Sequence, residues 1–372
     1  MFGNSWRVGR IAGVEIRVDT SWVVIAVLIT YSFYVRFSDE FRDLATATAV
    51  VLAAALAILF FGSVLIHEMA HALTALRRGI PVKGITLFLF GGATNAKVDS
   101  RRPQDEFVIS IVGPLTSLVL GGVFLGLGYA LRSTSAPIGG GLRYLGAVNL
   151  VLAVFNMLPG FPLDGGRVLR SVVWRVTGSI NRATRVASIA GQIVGYAIVA
   201  VGVLFLTQGI VGSAIWFGAI GWFLAQAARA SYAELMVRGL LESVDAEDLM
   251  SPDLVRIPAD LSLRDAVDRY FMRYNHGAFP VEDDGRTVGL LTLRSVRRTP
   301  QEEWGSRRAR ESMDTLGDQL TVPRGEPMNR VLAKLQDGES QRVLVMDGNE
   351  VVGILTAADI ARWLDRRRAL RT

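Results

Sequence analysis

Over its first 230 residues the chain alternates long apolar runs with short charged connections, and after Ala230 this pattern gives way to mixed, charged sequence. The apolar runs cover 21–35, 45–76, 107–131, 142–158, 186–206 and 210–228. Each is near the ~20 residues that a helix needs to cross hydrocarbon, which predicts about six membrane spans. Arg7, Arg10 and Arg17 precede the first run as in a secretory signal, but bulky "YSFYVRF" follows where a cleavage site would be small, so a retained anchor is expected. After the second run, "GIPVKGITLFLFGGATNAKV" alternates weakly and is rich in β-branched and aromatic residues around Gly91 and Gly92, which predicts a small β-hairpin element. Beyond Ala230 a repeat recurs at roughly sixty residues. "LMSPDLVRIPADLSLRDAV" is echoed by "SMDTLGDQLTVPRGEPMNRV", and "GRTVGLLTLRSV" by "NEVVGILTAADI". Each unit reads as a helix, β-branched strands around "AFPVED" or "RVLVMD", a turn, a strand and a closing helix. The expected fold is a polytopic α-helical membrane protein over 1–230, a helical linker over 231–245, and a soluble α/β pair over 246–300 and 306–372.

Composition agrees with a membrane class: 51% of the 372 residues are hydrophobic, and the mean hydropathy is +0.35. The chain has no cysteine, which excludes disulfides, thiolate zinc sites and thiol nucleophiles and leaves nitrogen and oxygen as the metal ligands. The formal charge of +6 comes largely from arginines between apolar runs and at the C-terminus, which suits anionic lipid. No basic stripe with interleaved aromatics accompanies it, so no nucleic-acid partner is expected. Arginine and lysine are dense before the first run and in the second and fourth connections, so both chain ends are expected in the cytoplasm of a multi-pass plasma (inner) membrane protein. His67 and His71 then fall in the cytoplasmic half of the second span.

Two of the three histidines stand with Glu68 in the apolar stretch "FFGSVLIHEMAHALTAL", where an ionisable group needs a partner or a task. Residues i and i+4 share a helix face, so His67 and His71 can present nitrogens to one Zn²⁺ with Glu68 beside it as a proton acceptor. The alternative is a pair of histidines satisfied inside a helical bundle. A catalytic zinc needs a third protein ligand and an open position. Without cysteine, that ligand is an intramembrane carboxylate or a carbonyl, and Asp164 in "VFNMLPGFPLDGGRVLR" stands at matching depth. Pro159 and Pro162 interrupt the helix there, and Gly165 and Gly166 allow close backbone approach. The competing reading of Asp164 is an N-cap of the following helix.

"HEMAH", "GIPVKGITLFLFGG", "VGPLTS" and "NMLPGFPLDGGR" together resemble the site-2 protease family of intramembrane zinc metalloproteases across the whole membrane part. The resemblance implies that His67, His71 and Asp164 bind Zn²⁺, that Glu68 is the catalytic base, and that Asn156 is an active-site polar residue facing the substrate carbonyl. For Asn156 a helix–helix hydrogen bond is the alternative. The implied substrate is a single-pass transmembrane protein cut within or near its span, and the hairpin around Leu87 and Leu89 can pair with it once unwound. Gly113, Gly121, Gly122, Gly126 and Gly128 read as close helix packing.

The C-terminal repeat resembles a pair of cystathionine-β-synthase type (CBS) domains, an appendage of one branch of that family. Such modules bind adenine nucleotides (AMP, ADP or ATP), which implies ribose contacts from Thr356 and Asp359 in "GILTAADI". The first half keeps Thr292 but has Ser295 where the acid belongs, so one nucleotide site or none is expected. Pairing of CBS domains makes a homodimer the expected assembly. His276 is read as a surface or ligand-cleft residue, and the terminal "ARWLDRRRALRT" as a solvated helix face. A CBS-gated ion transporter or channel, needing a polar path across all the spans, and a catalytically inactive scaffold are the alternatives to a nucleotide-regulated endopeptidase.

Overall fold

The computed structural model describes residues 5–88, 91–96, 102–241, 244–317, 320–337 and 342–370. Contacts divide the chain into two compact units, Met1–Ala233 and Glu234–Thr372.

In the first unit, a hairpin of β1 (Ser5–Ile11) and β2 (Val14–Asp19) leads into α1 (Ser21–Glu40) and α2 (Thr46–Arg77). A second hairpin, β3 (Val82–Phe88) and β4 (Gly91–Ala96), precedes α3 (Pro103–Ala130), α4 (Ala136–Asn156), α5 (Asp164–Thr177), α6 (Ile180–Thr207) and α7 (Val211–Leu241), whose residues from Glu234 on count with the second unit. Among the described residues, six helices are long and apolar enough to cross a membrane: α1, α2, α3, α4, α6 and α7. Many of their large apolar side chains face outward, Val119, Val151 and Ile193 among them, as expected of surfaces whose solvent is lipid. Of the segment 231–245, read as a helical linker, residues 231–241 form the last part of α7.

The expected hairpin forms, within a larger sheet. Its order is β1-β2-β3-β4, with β2 and β3 parallel and the other pairs antiparallel. Because β2 and β4 flank β3, Leu87 lies in an inner strand, paired with Val18 and Gly92. Pairing with a substrate is therefore closed to β3, and among the described residues the edge strand on that side is β4. Leu89 lies outside the described residues. The sheet packs on the C-terminal half of α2 through a buried cluster of Val14, Ile16, Met69, Ala72, Ile85 and Leu87, so it abuts the turn that carries both histidines.

α3 begins with Pro103 at its first position and Asp105 and Glu106 in its first turn, a proline and two acids suited to a helix N-terminus. α3 and α4 approach at backbone distance where Gly121 meets the Gly146 carbonyl and Gly128 meets the Gly139 carbonyl. That is the expected role for Gly121 and Gly128, whereas Gly122 and Gly126 face open space. Between α4 and α5 the chain turns through 157–163, with a cis peptide at Phe161–Pro162. Phe161 N donates to Ala187 O of α6 at 3.1 Å, which ties this loop to the bundle.

The second unit holds the repeat. Its first half contains α8 (Ala246–Leu249), β5 (Ile257–Pro258), α9 (Leu263–Ala266, continued by a π-turn), β6 (Ala278–Asp283), β7 (Arg286–Thr292) and α10 (Leu293–Arg297). Next come α11 (Ala309–Ser312), β8 (Asp314–Thr315), β9 (Thr321–Pro323), α12 (Met328–Asp337), β10 (Arg342–Asp347), β11 (Glu350–Thr356) and α13 (Ala357–Ala369). Sheet β5-β6-β7-β8 has one parallel and two antiparallel pairings, and sheet β11-β10-β9 has one of each. The β6–β7 and β10–β11 ladders shift register at matching places, Val281/Glu282 and Val345/Met346, so the sequence repeat is a structural one.

Candidate metal centre

The i, i+4 spacing on α2 stacks His67 over His71 edge to face, and both are 4% exposed. Their Nε2 atoms are 3.2 Å apart, and Asp164 Oδ2 lies 3.2 Å from each. Asp164 is the first residue of α5, whose N-cap is Leu163, and no side-chain cap is made there. Its carboxylate is therefore turned to the histidines instead of closing the helix end. Gly165 makes this possible: a side chain there would meet the Met157 and Leu158 carbonyls at 2.3 and 2.4 Å.

The other imidazole nitrogens are held by α3. His71 Nδ1–H donates to the Ile109 carbonyl at 2.6 Å, and His67 Nδ1 pairs with Ser117 Oγ at 2.8 Å. A carbonyl only accepts, so the His71 proton sits on Nδ1 and Nε2 offers a lone pair; the same tautomer at His67 has Ser117 accepting. Two such lone pairs and a carboxylate oxygen then converge, an arrangement that repels itself without a cation. Ligands of a tetrahedral zinc, at bonds of about 2.0 to 2.1 Å, stand about 3.3 Å from one another. The observed 3.2 Å edges fit that ion, and His67, His71 and Asp164 form a cluster suited to holding a metal.

Gly113 adds a second indication. A Cβ there would lie 2.2 Å from His71 Nε2 and 2.7 Å from His67 Nε2. This corrects its reading as a helix-packing glycine: it clears space for the imidazoles. Ile109, Gly113 and Ser117 recur every four residues, so one face of α3 braces both rings. Sequence reasoning missed Ile109 and Ser117, although the spacing in "ISIVGPLTS" carries the signal.

Glu68 is 9% exposed, one residue along α2 from His67. Gly92 of β4 lies on it so closely that a Cβ would stand 2.4 Å from Glu68 Cγ. Asn156 ends α4, half-buried, and hydrogen-bonds to no described side chain or backbone group outside its helix.

In the second unit a cleft of about 520 Å³ is lined by Ser251, His276, Arg342, Thr356, Asp359 and Arg362 among others. Asp359 Oδ2 accepts from Thr356 N at 2.8 Å and Thr356 Oγ1 at 2.6 Å, while Oδ1 accepts from Ser251 Oγ at 3.1 Å and pairs with Arg362. These residues thus also cap α13. Burial pushes the Arg342 guanidinium below its ordinary value. In the first half Thr292 and Ser295 form the corresponding cap, with their hydroxyls 2.6 Å apart. Ser295 donates in turn to Asp314 Oδ2 at 3.1 Å. Ser251–Asp359 in one half thus answers to Asp314–Ser295 in the other, with hydroxyl and acid exchanged. Gly353 against Met250 and Gly289 against Met313 confirm this correspondence, each with a would-be Cβ 2.5 Å from the methionine sulfur.

Comparison with known proteins agrees with both parts. The Peptidase family M50 profile matches residues 55–141 and 133–202, and the CBS domain profile matches 246–302 and 313–366. A protein of Synechocystis provisionally named a zinc metalloprotease is 35% identical over 98% of this chain and 97% of its own. One of Mycobacterium tuberculosis, with the provisional name zinc metalloprotease Rip3, is 36% identical over 96% of this chain and 92% of its own. The solved site-2 protease from Methanocaldococcus jannaschii aligns at 26% identity and TM-score 0.45, covering 61% of this chain and 95% of that one. Full-length likeness at this level, on a chain whose second span and α5 bring two histidines and an aspartate together, places it in the M50 family: it is a membrane zinc metalloprotease of the site-2 protease type with two C-terminal CBS domains.

Proposed function

We propose that this chain is an intramembrane endopeptidase that cuts a single-pass transmembrane protein within or near its span, with His67, His71 and Asp164 as zinc ligands. The observation that carries the reading is the triangle of donor atoms with 3.2 Å edges, braced from behind by Ile109 and Ser117. Zinc, when bound, polarises a carbonyl and brings the pKa of its water to near 7. Glu68, beside His67, takes the proton of the attacking water and passes it to the leaving amine nitrogen as the C–N bond breaks; one water is added across the peptide bond. Asn156 orients the substrate carbonyl, a role supported by its polar side chain having no other described partner and by its place in the N-x-x-P motif. The substrate, unwound, adds to the outer edge of β4, a reading supported by the close approach of Gly92 to Glu68.

The CBS pair is read as the regulator. Thr356 and Asp359 on the wall of the cleft, with Arg342, Arg362 and His276 around it, suit the ribose and phosphates of an adenine nucleotide. Thr292 is the corresponding ribose residue of the first half, where Asp314 supplies the acid that Ser295 does not. Six spans and the arginine distribution support cytoplasmic ends in a plasma membrane, and the CBS pair is the expected seat of a homodimer.

The test is cleavage of a panel of single-pass substrates in proteoliposomes, with products located by mass spectrometry. Cuts within or near the span by wild type, absent with Glu68→Gln, are expected. Cuts only in soluble flanks, or equal cutting by the variant, would overturn the proposal.

A further inference from the structure

α3 and α5, which approach the donor cluster from two sides, are joined by a buried charge pair that the mechanism above does not use. Glu106, in the first turn of α3, is 0% exposed, and its Oε1 accepts from Arg170 Nε at 2.6 Å and pairs with Nη2 of the same guanidinium. Arg167 Nε stands 4.0 Å from that oxygen. The other oxygen, Oε2, has no hydrogen-bond partner among the described residues. Burying two charges is repaid only when geometry is good and the remaining lone pairs are satisfied, and here one carboxylate oxygen is not. The pair is a poor source of stability, so what it supplies is registry between helices.

Its location says which registry. Glu106 lies one turn before Ile109, whose carbonyl holds His71. Arg170 lies on α5 after Asp164, and its guanidinium also covers the Phe161 ring at 5.2 Å, within the loop that delivers Asp164. The same two side chains therefore fix α5 and its leading loop against the helix that braces the imidazoles.

We propose that Glu106 and Arg170 are positioning residues for the third zinc ligand: their ion pair sets the distance at which the Asp164 carboxylate meets His67 and His71. This rests on the reading of those three residues as zinc ligands. Outer partners that orient metal ligands typically change metal affinity by about 10- to 100-fold, and the same range is expected here although the pair acts through a helix.

The experiment measures zinc affinity of the full chain in detergent by competition with a chromophoric chelator, alongside melting of the metal-free protein. The Glu106→Gln/Arg170→Gln double variant removes both charges of the pair and leaves nearby only Arg167, whose side chain is 34% exposed; Arg170→Lys keeps the charge but loses the fork, and Asp164→Asn is the control. Zinc bound about 10- to 100-fold more weakly by the double variant, with a smaller loss in Arg170→Lys and metal-free melting close to wild type, is the expected result. Wild-type zinc affinity in the double variant, while Asp164→Asn has lost zinc, would overturn the positioning role and leave the ligand assignment intact. Wild-type affinity in Asp164→Asn would instead overturn the ligand assignment. Should the double variant not fold, unchanged affinity in Arg170→Lys overturns the proposal.

Discussion

Replacing Gly113 by alanine adds one methyl group at the most constrained point of the centre. Its carbon would lie 2.2 Å from His71 Nε2, 2.5 Å from Cε1 and 2.7 Å from His67 Nε2. Restoring a contact of about 3.5 Å requires the His71 ring to retreat by about 1.3 Å, several times the ~0.2 Å that metal–ligand distances tolerate. The ring cannot yield easily, because its Nδ1–H is held by Ile109 on the same helix. Alanine is otherwise favourable in a helix, by about 1 kcal/mol over glycine, so α3 itself should not suffer. Zinc affinity is expected to fall at least about 100-fold, equivalent to about 2.7 kcal/mol, with cleavage falling alongside. Chelator competition on purified protein reads the first and the proteoliposome assay the second. Gly122→Ala on the same helix, where nothing lies within 4 Å, is the matched control and should behave as wild type. Zinc affinity within about threefold of wild type in Gly113→Ala would refute the steric argument.

Glu68→Gln should keep about one zinc per chain but lower kcat by about 10² to 10⁴, the range for loss of a general base; equal loss of zinc would make Glu68 a ligand-shell residue instead. Stripping metal with a chelator should abolish cleavage, and added Zn²⁺ should restore it; activity that survives verified metal removal would contradict the hydrolytic scheme. Asp359→Asn should weaken adenine-nucleotide binding by the full chain about tenfold or more in calorimetry, the cost of one charge-assisted hydrogen bond. Unchanged binding would reduce Thr356 and Asp359 to helix caps.

The membrane part was legible because lipid demands long, unbroken apolar helices, so composition alone marks their number, and the H-E-x-x-H spacing marks one face of α2. Other features depended on contacts between distant segments. Pro159, Pro162 and the glycines pointed to a break before Asp164, but only the fold brings its carboxylate to 3.2 Å from both imidazoles. The N-terminal hairpin was hidden in plain alternation, Val14, Ile16 and Val18, because Arg7, Arg10 and Arg17 read first as flanks of a membrane anchor. Gly113 was misread because close approach to a helix and close approach to an imidazole leave the same trace in one sequence. Asp314 could not be recognised as the acid that meets Ser295 in the first half, since it comes from β8 and not from the segment after Thr292.

The central claim is that His67, His71 and Asp164 hold one zinc between them. Elemental analysis of detergent-purified wild type and Asp164→Asn tests it most directly. About one zinc per wild-type chain, lost or much weakened in the variant, is the predicted result. Equal zinc in both, or none in wild type supplied with the metal, would contradict it.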